Sequence, residues 1–369
     1  MKAIVVGGGI GGLATAIALS QDGWTVEVLE RAAQFTEVGA GLSLWPNALR
    51  ALDALGVKHD IEQRALRGVQ AGIRHPSGRW LSRTDTAELE RRYGRLAMIH
   101  RADLLSVLRD AAPADSLRPG VSVHRVTRNG LVEHSNGTSK ADVVIGADGI
   151  HSAVRRSIWP DAPAPHYVGY TAWRMVTKPI AVTEEGETWG RGQRFGYAQL
   201  PDGRVYCFAT ANTAEGTAGS SLAELRRRFG SWHDPIPALL DATDESAVLN
   251  HDIYELPRLS TYVMDRVILV GDAAHAMTPN LGQGACQAIE DAVALPAALR
   301  TNQLAAYDRA RRARTQMIAQ RAHRIGRLGQ LSSPPAVALR NSAMRITPSS
   351  SLLRSLDPVL SWTPDGANT

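Results

Sequence analysis

The chain of 369 residues has only two cysteines, four lysines and no long apolar run. Cys207 and Cys286 are too few for a disulfide framework, and no Cys-x-x-Cys or Cys/His cluster suggests a metal. No stretch approaches the ~20 consecutive apolar residues a membrane helix needs, so membrane insertion is not expected. No signal peptide is read ahead of the strand-like "KAIVV", and a cytoplasmic location is expected. The net charge of +5 comes almost wholly from arginine, since the lysines are Lys2, Lys58, Lys140 and Lys178. The densest arginine cluster, "DRARRARTQMIAQRAHRIGR" at 308–327, has no interleaved aromatics and no nucleic-acid motif. It reads as a solvated helix face, and no nucleic-acid partner is expected.

What is present reads as a soluble globular protein, with 44% hydrophobic and 21% charged residues. The length allows two domains or one large one. "KAIVV" and "TVEVLE" (25–30) read as strands flanking the helical "GLATAIALSQDG", a βαβ start for a parallel sheet. Further helices are expected at 47–56, ending on Gly56, and at 101–112. "VQAGIRHPSGRWLSR" (69–83) reads as two strands around a turn, and "ADVVIGADG" (141–149) as a buried strand. Residues 166–212 alternate in polarity, with "FGYAQL" and "GRVYCFATA" joined by Pro201-Asp202-Gly203, which suggests an antiparallel sheet. Residues 221–244 look helical but interrupted by Pro235 and Pro237. One long helical stretch is expected at 283–328, and a looser proline- and serine-rich segment at 331–351. The first unit is thus interrupted by the second and completed near the C-terminus.

Between the first two strands lies a G-x-G-x-x-G loop, Gly7, Gly9 and Gly12. Its glycines serve a tight turn, close approach to a pyrophosphate, and helix-on-strand packing. The helix N-terminus adds partial positive charge for phosphates. Glu30, 18 residues beyond Gly12, can accept hydrogen bonds from ribose hydroxyls. An acid there disfavours a 2′-phosphate, so NADP is not expected in this site, while NAD and FAD both remain open. A second strand–turn–helix unit, "VILVGDAAHAMTPNLGQGACQAIEDAVAL" (267–295), separates them. Asp272 can take a ribityl hydroxyl. The helix opened by Gly282-Gln283-Gly284-Ala285 can aim its amides at a flavin's pyrimidine edge, where reduction places negative charge. A nicotinamide dehydrogenase needs no such unit. His275 reads as packing beside this turn, and Cys286 as a small buried residue.

Four segments strongly resemble the class A flavin-dependent monooxygenases, typified by para-hydroxybenzoate and salicylate hydroxylases. They are "GGGIGGLATAIAL" with "VEVLER", "IHRADLLSVL" (99–108), "DVVIGADGIHSAVR" (142–155) and "RVILVGDAAHAMTPNLGQGACQAIEDA" (266–292). The substrate-sheet strands and the last segment look closest to the urate hydroxylase and zeaxanthin epoxidase branches. The resemblance implies an α/β fold: a Rossmann-like FAD-binding domain (1–67, 87–160 and 257–330) interrupted by an antiparallel-sheet substrate domain (68–86 and 161–256). A C-terminal helical segment (331–369) closes the chain.

The resemblance also implies non-covalent FAD, NAD(P)H as a transient co-substrate, and O2. An aromatic or related ring would be hydroxylated through a flavin C4a-hydroperoxide. Gly7, Gly9, Gly11, Gly12, Glu30, Arg31, Ser43, Arg101, Val126, Asp148, Asp272, Gly282, Gln283, Gly284 and Ala285 are the implied FAD contacts. Ser43 and Val126 would act mainly through backbone. Asp148 would lie near the pyrophosphate or help NAD(P)H dock, with capping of the "SAVRR" turn as the competing reading. Arg194 and Tyr206 match positions that meet substrate in the urate branch, with a surface ion pair and sheet packing as the competing readings. Three alternatives stay open: a monooxygenase or epoxidase acting on a polyketide, antibiotic or terpenoid; a reductase of the geranylgeranyl type; and a non-catalytic FAD-binding protein.

Overall fold

In a computed structural model that describes residues 1–35, 41–67, 72–219 and 221–364, the strands Lys2–Val6 and Thr25–Glu30 pair in parallel across the helix Ile10–Gln21. Ala3–Val6 of the first strand are a continuous apolar run and are buried. The helix buries Ile10, Leu13, Ala14, Ile17 and Leu19, so it is covered on more than one side. Six strands form this sheet, in the order Val263–Met264, Val267–Leu269, Val143–Gly146, Lys2–Val6, Thr25–Glu30 and Leu117–Pro119. Every pairing is parallel except the first. The sheet therefore draws its strands from both ends of the chain.

The second large sheet has seven strands, in the order Leu249–Glu255, His166–Val176, Val205–Asn212, Gln193–Gln199, Gly186–Trp189, Gly72–Arg74 and Trp80–Arg83. It is antiparallel apart from one pair, Gly186–Trp189 with Gly72–Arg74. The Pro201-Asp202-Gly203 turn joins its two central strands as expected. Alternation along these strands sorts the faces. Trp173, Met175, Phe195, Val205, Cys207 and Ala209 go into a core with the helices Leu222–Phe229 and Ile236–Asp241. Arg174, Tyr206 and Phe208 go to the other face. The part of the 69–83 reading at 69–71 lies outside the described residues.

Three local expectations differ from the structure. Pro237 falls in the first turn of the helix Ile236–Asp241 and starts it. The long C-terminal stretch is two helices, Gly284–Arg300 and Leu304–Gly329, broken where Asn302 takes a left-handed φ of 54°. Residues 331–351 are not loose: Pro334–Ile346 and Ser349–Leu360 are helices, and the prolines of the first sit in its opening turn. Arginines tie the last helix down at its carbonyl end. Arg50 reaches Leu360 and Trp362, and Arg314 reaches Pro358 and Val359.

Candidate active site

The main cleft, of about 860 Å³, runs between the two glycine turns and reaches the polar face of the antiparallel sheet. Its size lies toward the upper end of what ligand pockets reach. The first turn is set by sterics. Gly7 takes φ +104°, and a Cβ there would lie 2.4 Å from Ala147 O. A Cβ on Gly12 would lie 1.9 Å from Gly7 O. Gly9 is different: it has an ordinary φ of −75°, and among the described residues nothing beyond its chain neighbours and its own helix backbone lies within 4 Å of its missing Cβ. Among the described residues no side chain caps the helix that begins there, which leaves its start for an anion. The second turn meets the first at Ala288, whose Cβ is 3.1 Å from the positions a Cβ would take on Gly11 and on Gly271.

The acids sit around this cleft. Glu30 accepts the Gly8 amide at 2.6 Å and the Ala32 amide at 2.8 Å, so its carboxylate is locked at the end of its strand. Asp272 is exposed to the cleft at the second turn, and Arg101 lies in its field. Asp148 also lines the cleft. One of its oxygens accepts the amides of Ala153 (2.6 Å) and Val154 (3.1 Å), the capping arrangement, while the other is buried without a hydrogen-bond partner among the described residues. Burial pushes its carboxyl upward against those bonds. Arg31, Gly282, Gly284 and Ala285 line the cleft.

Five expected residues are placed differently. Val126 is buried among Ile4, Leu29 and Val132, and its amide goes to Ser157 Oγ; residues 121–124 of the same hairpin line the cleft instead. Leu42, not Ser43, faces the cleft, while the Ser43 hydroxyl donates to Met98 Sδ. Gln283 is buried and accepts from Asn47 at 3.0 Å. Arg194 is 2% exposed and does not reach the cleft. Its guanidinium donates to Asn280 Oδ1 at 2.5 Å and to Thr210 Oγ1 at 3.3 Å, with Trp189 and Tyr170 rings 5.9 Å away and Gly329 packed against its stem. The helix Leu304–Gly329 covers that end of the sheet face, so Arg194 is a strut. Tyr206 is half-buried outside the cleft lining itself, packed against Gly41 and within the field of Arg174.

Arg174 is the residue the sequence did not single out. It lines the cleft, and among the described residues no carboxylate lies within ion-pair distance of it. Burial raises the pKa of Tyr206, and the charges of Arg174 and Arg101 oppose that rise. Its signal was the strand alternation: Arg174 pairs with Phe208 and Val176 with Tyr206, so Arg174 lies diagonal to the tyrosine.

A buried ionic network holds the second turn in place. Asp291 accepts the Gly271 amide at 2.9 Å, meets His275 Nε2 at 2.6 Å and accepts Arg311 Nε at 2.7 Å. Glu290 receives Arg311, Arg314, Asn47 and Gln287. His275 is thus a packing residue beside the turn, and burial lifts the Cys286 thiol to about 12. Burial alone would raise the pKa of Asp291, but the charges of His275 and Arg311 hold it at about 2. Its stabilisation is therefore present above the unfolded carboxyl pKa of about 3.9 and is lost as pH falls toward about 2. Asp291→Asn is expected to cost about 3–5 kcal/mol, because it leaves buried cations underpaired. Denaturant titrations should show that loss at neutral pH and a flatter acid limb between about pH 4 and pH 2.

Residues 1–322 match the FAD binding domain family. The chain is 37% identical to aurachin C monooxygenase/isomerase of Stigmatella aurantiaca, over 94% of each protein. It is 35% identical to 2-heptyl-3-hydroxy-4(1H)-quinolone synthase of Pseudomonas aeruginosa, over 96% of each. The solved structure of Klebsiella pneumoniae HpxO complexed with FAD and uric acid matches with a TM-score of 0.90 at 29% identity, covering 98% of this chain and 97% of that one. No helix among the described residues is long and apolar enough to cross a membrane.

Proposed function

The chain belongs to the FAD binding domain family and is an FAD-dependent monooxygenase of the aromatic hydroxylase kind, and we propose that its substrate is a planar, oxygenated aromatic or nitrogen-heteroaromatic ring bound as its anion at Arg174. The observation that carries this reading is a guanidinium at the cleft with no carboxylate partner among the described residues, beside Tyr206 and Arg101. An unpaired cation in a half-buried site favours an anionic ligand. The names of two relatives point the same way, since a 4-quinolone and uric acid are both oxygenated nitrogen heterocycles.

The cleft fits FAD. Gly7, Gly9, Gly11 and Gly12 would cradle the pyrophosphate at an uncapped helix start. Glu30 would take the adenosine ribose and Arg31 would flank the adenosine. Residues 121–124, rather than Val126, would line that end. Asp272 would hold the ribityl chain, and Arg101 would reach the flavin nucleotide. Gly282, Gly284 and Ala285 would present the start of their helix to the flavin ring, with Gln283 and Ser43 supporting from behind. When bound, FAD accepts electrons from NAD(P)H and activates O2 so that one oxygen atom reaches the ring.

The protein's own part is to bind, orient and exclude water. Arg174 would hold the ring oxygen in its deprotonated state, with Tyr206 donating a second hydrogen bond. Deprotonation raises electron density at the ortho and para carbons, so a ring already held as an anion needs no separate base. Arg194 would act as a positioning residue: it fixes Asn280, which precedes the Gly282–Ala285 turn. Asp148 would shape the pyrophosphate end as a cap. The FAD-binding part would comprise residues 1–67, 87–160 and 257–330 and the substrate part residues 68–86 and 161–256, and the enzyme would work in the cytoplasm. A panel of ring acids and their O-methyl ethers tests the reading: acidic rings should accelerate NAD(P)H oxidation and the ethers should not. Equal stimulation by both would contradict it.

A further inference from the structure

Five large apolar side chains are exposed among the described residues, and four of them lie between positions 328 and 352. Leu339 is 74% exposed and Ile346 81%. They are seven residues apart on the helix Pro334–Ile346, hence on one face two turns apart, with exposed Ser342 and Ala343 between them. The opposite face is fixed. Val337, Arg340 and Asn341 are buried, and Arg340 donates to the carbonyls of Leu328, Gly329 and Gly190.

The rim of this face is basic. Arg345 is exposed on the same helix, and Arg324 and Arg327 are exposed at the end of the preceding one. The turn before the strand Trp80–Arg83 brings His75 and Arg79 to the same place: burial, then the charges of Arg79, Arg345 and Arg340, lower the pKa of His75. The sequences "PPAVALRNSAMRI" and "HPSGR" contain no acid. Among the described residues, Arg79, Arg324, Arg327 and Arg345 have no carboxylate within ion-pair distance.

We propose that this face docks on an anionic lipid bilayer, with Leu339 and Ile346 entering the boundary between headgroups and acyl chains while Arg345, Arg79 and Arg327 meet lipid phosphates. Apolar tips ringed by unneutralised cations are what an interfacial helix needs. A second copy of this chain is disfavoured, because a two-fold contact would press arginines together with no acid between them. The contact is one-sided, since no described helix can span the membrane. This inference goes beyond the monooxygenase reading and does not depend on it.

The test is co-sedimentation of the FAD-loaded protein with vesicles of phosphatidylglycerol and phosphatidylethanolamine, against vesicles of phosphatidylcholine alone, at low and high salt. Binding is expected to the anionic vesicles only and to weaken with salt. Arg345→Ala should weaken it about fivefold. The pair Leu339→Asp and Ile346→Asp should abolish it, with flavin absorbance and thermal midpoint kept. Absent binding, or equal binding to both vesicle types, would overturn the proposal. So would a concentration-dependent dimer in sedimentation velocity that the aspartate pair abolishes, since the face would then belong to a second copy.

Discussion

A Gly9→Val variant is expected to fold almost as stably as the parent without cofactor and to bind FAD about 100-fold more weakly or worse. Gly9 has φ −75° and ψ −174°, a conformation valine adopts freely, and among the described residues its Cβ would meet nothing within 4 Å beyond its chain neighbours and its own helix backbone. The cost to the apo-protein is confined to a poorer helix N-cap, about 1 kcal/mol. With FAD the same side chain occupies the space the pyrophosphate needs against the backbone amides. Losing charge-assisted hydrogen bonds there costs about 3 kcal/mol or more, which is about two decades of affinity. Gly12→Ala is the contrasting variant. Its Cβ would strike Gly7 O, so it should damage the loop with or without FAD. Thermal melts of both apo-proteins, with fluorescence titration of FAD, separate the two. Parental FAD affinity in Gly9→Val would mean that the dinucleotide does not cross this turn.

Arg174→Ala is expected to keep FAD affinity and lower kcat/KM for an acidic ring by about 100-fold. One hydrogen bond to a charged group, lost in a half-buried site, is worth about 3 kcal/mol. Tyr206→Phe removes a weaker bond and should cost about tenfold. Arg174→Lys keeps the charge but not the planar fork and should recover only part of the loss. In Arg174→Ala, NAD(P)H consumed per product formed should rise and the excess should appear as peroxide, because a loosely held ring misses the oxygen. The readout is steady-state kinetics with peroxide detection. Unchanged kcat/KM would remove Arg174 from the substrate site.

The parts of the site written in one short segment were legible in the sequence. Gly7 and Gly12 are demanded by their own local backbone, Glu30 ends the next strand, and Asp272 opens the second turn, so spacing alone carried them. Arg174 was not legible in that way. Its importance comes from strand pairing with residues 206–208 and from the absence of a nearby carboxylate, neither of which is local. Arg194 shows the opposite failure. Alternation put it on the same face as Tyr206, but a helix more than a hundred residues later covers that end of the face and turns it into a strut. Val126 was displaced for a subtler reason: its hairpin strand alternates, and position 126 points into the core beside Val132. The helices Pro334–Ile346 and Ser349–Leu360 agree with the C-terminal helical segment expected at 331–369; only the looser expectation for 331–351 fails, because proline and serine at a helix start favour the helix.

The proposed reaction inserts one oxygen atom from O2 into a ring held as an anion. Turnover of an accepted acidic ring under isotopically labelled dioxygen in unlabelled water, with NAD(P)H and read by product mass, tests it most directly. The expected product is heavier by one labelled oxygen atom. A product carrying oxygen from water, or NAD(P)H oxidation that adds no oxygen to any ring that stimulates it, would contradict the account.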